Sequence, residues 1–126
     1  DRYLHLPVQS GNDEILKKMN RKYTSQQYLE LINKIREKIK DIEIGTDIIV
    51  GFPGETNKQF ENTVTLCKKA KFVVAFIGKY SPRPGTPAFK LKDNVSMTEK
   101  KKRWKILENL INKPNLILRH KLITPS

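Results

Sequence analysis

"DIIVGFPGET", residues 47–56, passes from a β-branched apolar run straight into two glycines and a proline. Asp47-Ile48-Ile49-Val50 holds no turn former and has the composition of a buried strand. Gly51-Phe52-Pro53-Gly54-Glu55 reads as a tight turn. Thr56 then opens a helical pattern, with Gln59 three residues later as its capping-box partner. Strand, tight loop and helix start follow one another within ten residues. In α/β proteins that junction is a common place to hold a small molecule.

The same rhythm extends in both directions. Upstream, residues 3–8 form a short apolar strand candidate closed by Pro7, and a short helix runs from Asn12 or Asp13 to Met19. Thr24 caps a longer helix with Gln27 in the capping-box position, and Tyr28, Leu31, Ile32, Ile35 and Ile39 mark its apolar face. Residues 42–50 are the second strand. Downstream, a helix over residues 57–70 places Phe60, Val64 and Cys67 on one side, and residues 72–80 form the third strand. The loop "SPRPGTPAF" leads to a last helix that starts at Ser96, with Glu99 as capping partner, and ends before Pro114. Strands recurring roughly every 35 residues with helices between them predict βαβ units and a parallel sheet. Three such units leave the sheet with open edges, and the first strand has no lead-in, so further chain upstream is expected.

Composition sets the partners that are open. The 126 residues carry 25 Lys and Arg against 13 acids, a net charge of +12. An excess of that size suits a polyanion such as nucleic acid, although Lys-rich helix faces also serve solubility alone. The single cysteine, Cys67, supports neither a disulfide framework nor a cysteine metal site, and its helical position predicts a small buried side chain. No apolar run long enough to span a bilayer occurs, and no signal-peptide pattern opens the chain. A reducing, cytoplasmic setting and no membrane partner are expected.

All three strands should end on one rim, where "HLPVQSGN", "VGFPGET" and "YSPRPGTPA" converge. Gln9, Ser10, Ser81 and Arg83 are the polar groups just past the strand ends. "GFPG" is no phosphate loop, because the Gly-Lys-Ser/Thr ending is missing, and no GxGxxG is present. Gly51 and Gly54 let backbone approach a flat neutral group such as an adenine ring. His5 lies inside the first strand with no second histidine or carboxylate spaced to orient it. The run "EKKKR", residues 99–103, reads as a solvated helix face, and Trp104 beside it as core. No catalytic residue can be assigned from these patterns, and no metal ligand set is present.

Taken together, "HLPVQSGND", "MNRKYT", "DIIVGFPGET" and "YSPRPGTPA" resemble, in order and spacing, the second half of the radical S-adenosylmethionine core of the methylthiotransferases. "RPGTPA" looks most like the tRNA branch, which modifies N6-isopentenyladenosine next to the anticodon. The resemblance covers residues 1–112 and leaves 113–126 as a divergent or truncated tail. It implies the last three βα units of a partial or full TIM-like (β/α) barrel, with the N-terminal half of the barrel and a C-terminal RNA-binding domain missing. It implies S-adenosylmethionine as cofactor, tRNA as partner, and [4Fe-4S] clusters in the parent enzyme whose ligands are not in this chain. Gln9 and Ser10 would be polar contacts to the cofactor, Arg21 a carboxylate partner, and Val50, Gly51 and Phe52 backbone contacts to its adenine. Tyr80, Ser81 and Arg83 would face the substrate. The chain alone should be inactive. The alternatives are a non-catalytic basic α/β module that binds RNA, and a radical methylthiotransferase acting on another tRNA adenosine or a ribosomal protein.

Overall fold

A computed structural model describes residues 2–82, 84 and 91–112. Arg83 and the tail 113–126 lie outside the described residues. Strand β1 (Tyr3–His5) is followed by α1 (Asp13–Lys18) and α2 (Ser25–Lys38). Strand β2 (Glu43–Val50), α3 (Asn57–Ala70) and β3 (Val74–Lys79) come next. The last elements are α4 (Met97–Leu107) and a π-helical turn (Glu108–Asn112). The strands form one parallel sheet in the order β1-β2-β3, as the βαβ rhythm predicts.

Local signals set the helix starts. Thr24 and Thr56 each accept the N3 amide, and Gln27 and Gln59 bond back to the cap backbone, so both capping boxes form. Ser96 accepts from the Glu99 amide and opens α4. The apolar face of α2 is narrower than its spacing predicts: Tyr28 and Ile32 are buried, whereas Leu31 and Ile39 are exposed.

Strand β1 is shorter than the predicted 3–8 for a chemical reason. Pro7 has no N–H for a ladder, and the Val8 amide donates to the Thr46 hydroxyl at 2.9 Å instead of to backbone. Pairing resumes only as a single bridge, Gln9 to Ile48.

The two faces of the sheet differ. Ile44, Thr46, Ile48 and Val50 alternate on the buried face of β2 and meet Tyr28 and Ile32 of α2, Phe60, Leu66, Cys67 and Ala70 of α3, and Leu107 and Ile111 near the chain's end. Glu43, Gly45, Asp47 and Ile49 alternate on the other face, in register with Val74, Phe76 and Gly78 of β3. No described helix covers that second face: Phe76 stays 63% exposed and Tyr3 48%. The outer edge of β3 is closed by side chains. Asn112 accepts from the Ala75 amide at 2.9 Å and donates to its carbonyl at 2.7 Å, and the Trp104 indole donates to the Ile77 carbonyl at 2.9 Å.

Candidate functional site

The carboxyl ends of β1 and β2 are stitched together at Gln9. Its amide donates to the Asp47 carbonyl at 2.9 Å and its carbonyl accepts from Ile49 at 3.0 Å. Gln9 holds a left-handed backbone (φ 71°), uncommon for a residue with a side chain and a form of strain that collects at functional positions. Its half-buried side chain lines an open groove on the uncovered face of the sheet.

Ser10, expected beside Gln9, turns the other way. It is fully buried, its hydroxyl within 3.4 Å of the Thr63 hydroxyl, and it accepts from the Asn12 amide. Ser10 therefore orders the β1–α1 loop against α3 instead of facing the rim. Arg21 is exposed in the turn after α1.

The loop after β2 is built from within. Gly51 (φ 77°) and Gly54 (φ 84°) both hold left-handed backbone. The Gly51 amide donates to the Glu55 carboxylate at 2.8 Å, and the Val50 carbonyl accepts from the Tyr80 amide at 2.9 Å. Glu55 in turn receives the Arg103 guanidinium at 2.8 Å, with a second bond from Arg103 to the Glu55 carbonyl. Burial pushes the Glu55 carboxyl above its ordinary range, against the opposing pull of the Gly51 amide and the Arg103 guanidinium. Lys100 is as buried as Arg103. Its ammonium donates to the Tyr80 carbonyl at 3.0 Å and to Asp93 at 2.8 Å, and its stem packs beside Gly51. The "EKKKR" run is thus only partly a solvated face: Lys101 and Lys102 are exposed, but Lys100 and Arg103 fold inward and clamp the glycine loop. That corrects the reading from charge alone.

Val50, Gly51, Phe52 and Tyr80 come together as one cluster, with Phe52 meeting Tyr80 edge-on at 5.2 Å between ring centroids. Val50, Gly51 and Phe52 are all buried, main chain included, and the Val50 carbonyl and the Gly51 N–H already have partners within the protein. Ser81 is exposed beside this cluster.

A second constellation escaped sequence reasoning. On the uncovered face, His5 Nε2 lies 2.9 Å from Asp47 Oδ1, and His5 Nδ1 lies 2.9 Å from the Tyr3 hydroxyl. The Phe76 ring tilts against the imidazole with centroids 5.6 Å apart. His5 therefore does have an orienting carboxylate, supplied by the neighbouring strand. The signal was Asp47 itself, an acid inside an apolar strand, but only the parallel register shows which residue it meets. The groove beside this row has a volume of about 640 Å³ and is lined by Gln9, Asp47, Ile49, Phe76 and Gly78 among others.

The fold places the chain in a class first. Coproporphyrinogen III oxidase from Escherichia coli, a radical SAM enzyme, superposes with a TM-score of 0.71 over 86% of this chain and 26% of its own, at 23% identity. That likeness shows a shared α/β fold with a parallel sheet. The Radical SAM superfamily model matches residues 1–67, and the chain belongs to that superfamily.

More similar in sequence are proteins described as tRNA-2-methylthio-N(6)-dimethylallyladenosine synthase. The one from Anoxybacillus flavithermus is 56% identical over 110 residues, covering 87% of this chain and 21% of its own length. The one from Geobacillus kaustophilus is 55% identical over 109 residues, with 86% and 20% covered. The chain spans about a fifth of the length of these curated relatives.

An iron-sulfur cluster does not fit the residues present. Cys67, the single cysteine of the sequence, is 3% exposed, and burial pushes its thiol up to about 12. No group of three or more His, Cys, Asp or Glu that could hold a metal ion occurs among the described residues. No helix among the described residues is long and apolar enough to cross a membrane.

Proposed function

We infer that this chain is the C-terminal part of the radical core of a tRNA methylthiotransferase, which adds a methylthio group to C2 of N6-isopentenyladenosine near the anticodon. The observation that carries this reading is identity of about 55% to such synthases over 86–87% of the chain. The clusters sit on parts of the enzyme outside this segment, because its one thiol is buried in α3. When bound, S-adenosylmethionine supplies the radical that abstracts hydrogen and also the methyl group.

The residues here bind and position. Gln9 offers an amide at the rim, the Val50–Phe52 segment forms a wall for adenine, and Tyr80 and Ser81 stand on the side from which substrate arrives, with Arg83 assigned to the substrate from the sequence alone. The Glu55–Arg103 and Lys100–Tyr80 contacts hold that wall in place. The +12 charge suits a tRNA backbone, and the enzyme works in the cytoplasm.

Expression of the full-length gene in cells lacking their own methylthiotransferase tests the reading. Digested tRNA should regain 2-methylthio-N6-isopentenyladenosine by mass spectrometry, and a tRNA pool left unmodified overturns it. The 126-residue chain alone should restore nothing and should take up no iron after anaerobic reconstitution.

A further inference from the structure

We propose that Thr46, with Tyr23 and Tyr28, is a positioning residue for the cofactor. Their three hydroxyls pin a one-residue bulge in the chain just after β1, and that bulge presents Gln9 at the rim. The proposal rests on the reading of Gln9 as a contact to S-adenosylmethionine.

The bulge is read from the pairing. His5 lies opposite Gly45, yet Gln9 bridges to Ile48, so four steps along the first segment match three along β2. The hydrogen bonds slip with it. The Leu6 amide donates to the Gly45 carbonyl at 2.9 Å. The next rung, to the Asp47 carbonyl, comes from Gln9 where an even ladder would use Val8. Such an insertion is rare in parallel pairs, and beside active sites it re-aims a side chain.

The slip ends in a strained turn. The Ser10 amide donates to the Val8 carbonyl, two residues back, at 2.9 Å, with Gln9 between them at φ 71°. A γ-turn with a positive central φ is the uncommon, strained form. Asn20, Asp41 and Lys71 also hold positive φ, but each follows a helix end, where left-handed backbone is ordinary. Gln9 alone among the described residues with a side chain holds it at the carboxyl end of a strand. Glycine would adopt that backbone freely, as Gly51 and Gly54 do on the neighbouring loop. The glutamine side chain is therefore what the turn presents.

Three hydroxyls take up the groups that the bulge removes from the ladder. The Val8 amide donates to Thr46 Oγ1 at 2.9 Å. The Leu6 carbonyl accepts from Tyr28 at 2.6 Å, and the Val8 carbonyl accepts from Tyr23 at 3.0 Å. Thr46 is fully buried between Ile44 and Ile48 on the core face of β2, where valine has nearly the same shape and no acceptor. Without that hydroxyl the buried Val8 amide has no partner. Slipping back to even register would pair it with the Asp47 carbonyl and carry Gln9 off its turn.

The test uses the full-length, cluster-loaded enzyme and reads S-adenosylmethionine affinity by equilibrium dialysis, the KM for tRNA, and Tm. Gln9→Asn tolerates the left-handed backbone but draws the amide back by one carbon. It should weaken cofactor binding by about tenfold. Thr46→Val should weaken it by about fivefold with the KM for tRNA unchanged, and Thr46→Ser, which keeps the hydroxyl, should restore it. In the Gln9→Asn background Thr46→Val should add less than about twofold, because it acts through Gln9. Tyr23→Phe leaves the Ser10 amide on the Val8 carbonyl, so its loss should be smaller and should vanish in the same background. It decides the matter if Thr46→Val does not fold. Losses that multiply in the double variant overturn the positioning, and so does a lowered Tm with wild-type cofactor affinity. Unchanged affinity in Gln9→Asn removes the cofactor reading of Gln9 and the positioning with it.

Discussion

Arg103 of α4 reaches 48 residues back along the sequence to Glu55, and the two side chains are 5% and 1% exposed. The pair is a strut between the last helix and the glycine loop, since Glu55 also receives the Gly51 amide. Breaking one partner strands a buried charge. Arg103→Met should cost about 3–5 kcal/mol in urea unfolding. Adding Glu55→Gln should recover most of that loss. A single-variant cost below about 1 kcal/mol would mean that the strut carries no stability.

Gly51 and Gly54 should respond differently to alanine. Both have positive φ, so each substitution costs about 1–2 kcal/mol for the left-handed backbone. At Gly51 the new methyl also runs into the buried stem of Lys100, whereas at Gly54 it meets only the mobile tip of Lys18. Gly51→Ala should therefore be the more destabilising. Thermal unfolding of the two variants decides the order.

How much of this was legible beforehand divides along range. The helix over residues 57–70 and the capping boxes at Thr24 and Thr56 could be read because their partners lie three residues apart. The parallel sheet followed from the spacing of apolar runs. His5 with Asp47 is 42 residues apart and Arg103 with Glu55 is 48, so only the folded register reveals those partners. Lys100 and Arg103 illustrate the limit well. A string of charges records composition, while burial of two of them depends on which acids the fold delivers. Ser10 failed similarly, because a polar residue at a strand end can serve a loop as readily as a ligand.

Asn112 should prove to be structural. Asn112→Ala leaves the Ala75 amide and carbonyl without their partner and should cost about 1–3 kcal/mol. Hydrogen exchange at the Ala75 amide should quicken with it. Asn112→Asp, which keeps an acceptor and loses the donor, should fall between. Unaltered exchange at Ala75 in the alanine variant would contradict the pairing.

Cys67 sets an alkaline limit. Its thiol ionises near 9 when exposed and at about 12 when folded, because burial disfavours the thiolate. The folded state thus keeps its proton longer, and the stability tied to that proton is lost as pH rises from 9 towards 12. The stability advantage of wild type over Cys67→Ala should be constant below pH 9 and shrink by about 1.4 kcal/mol per pH unit above it. Denaturant titrations at pH 8, 9 and 10 measure this. A flat difference would place the thiol in contact with water.

The side chains that close β3 come late in synthesis. Trp104 follows Ile77 by 27 residues, and Asn112 follows Ala75 by 37. Until both have left the ribosome, the nascent strand presents a bare row of amides and carbonyls to any neighbouring chain. A stalled or prematurely ended product lacking α4 would therefore carry a sticky β-edge, and its fate is set by chaperones and proteases before chemistry is ever in question.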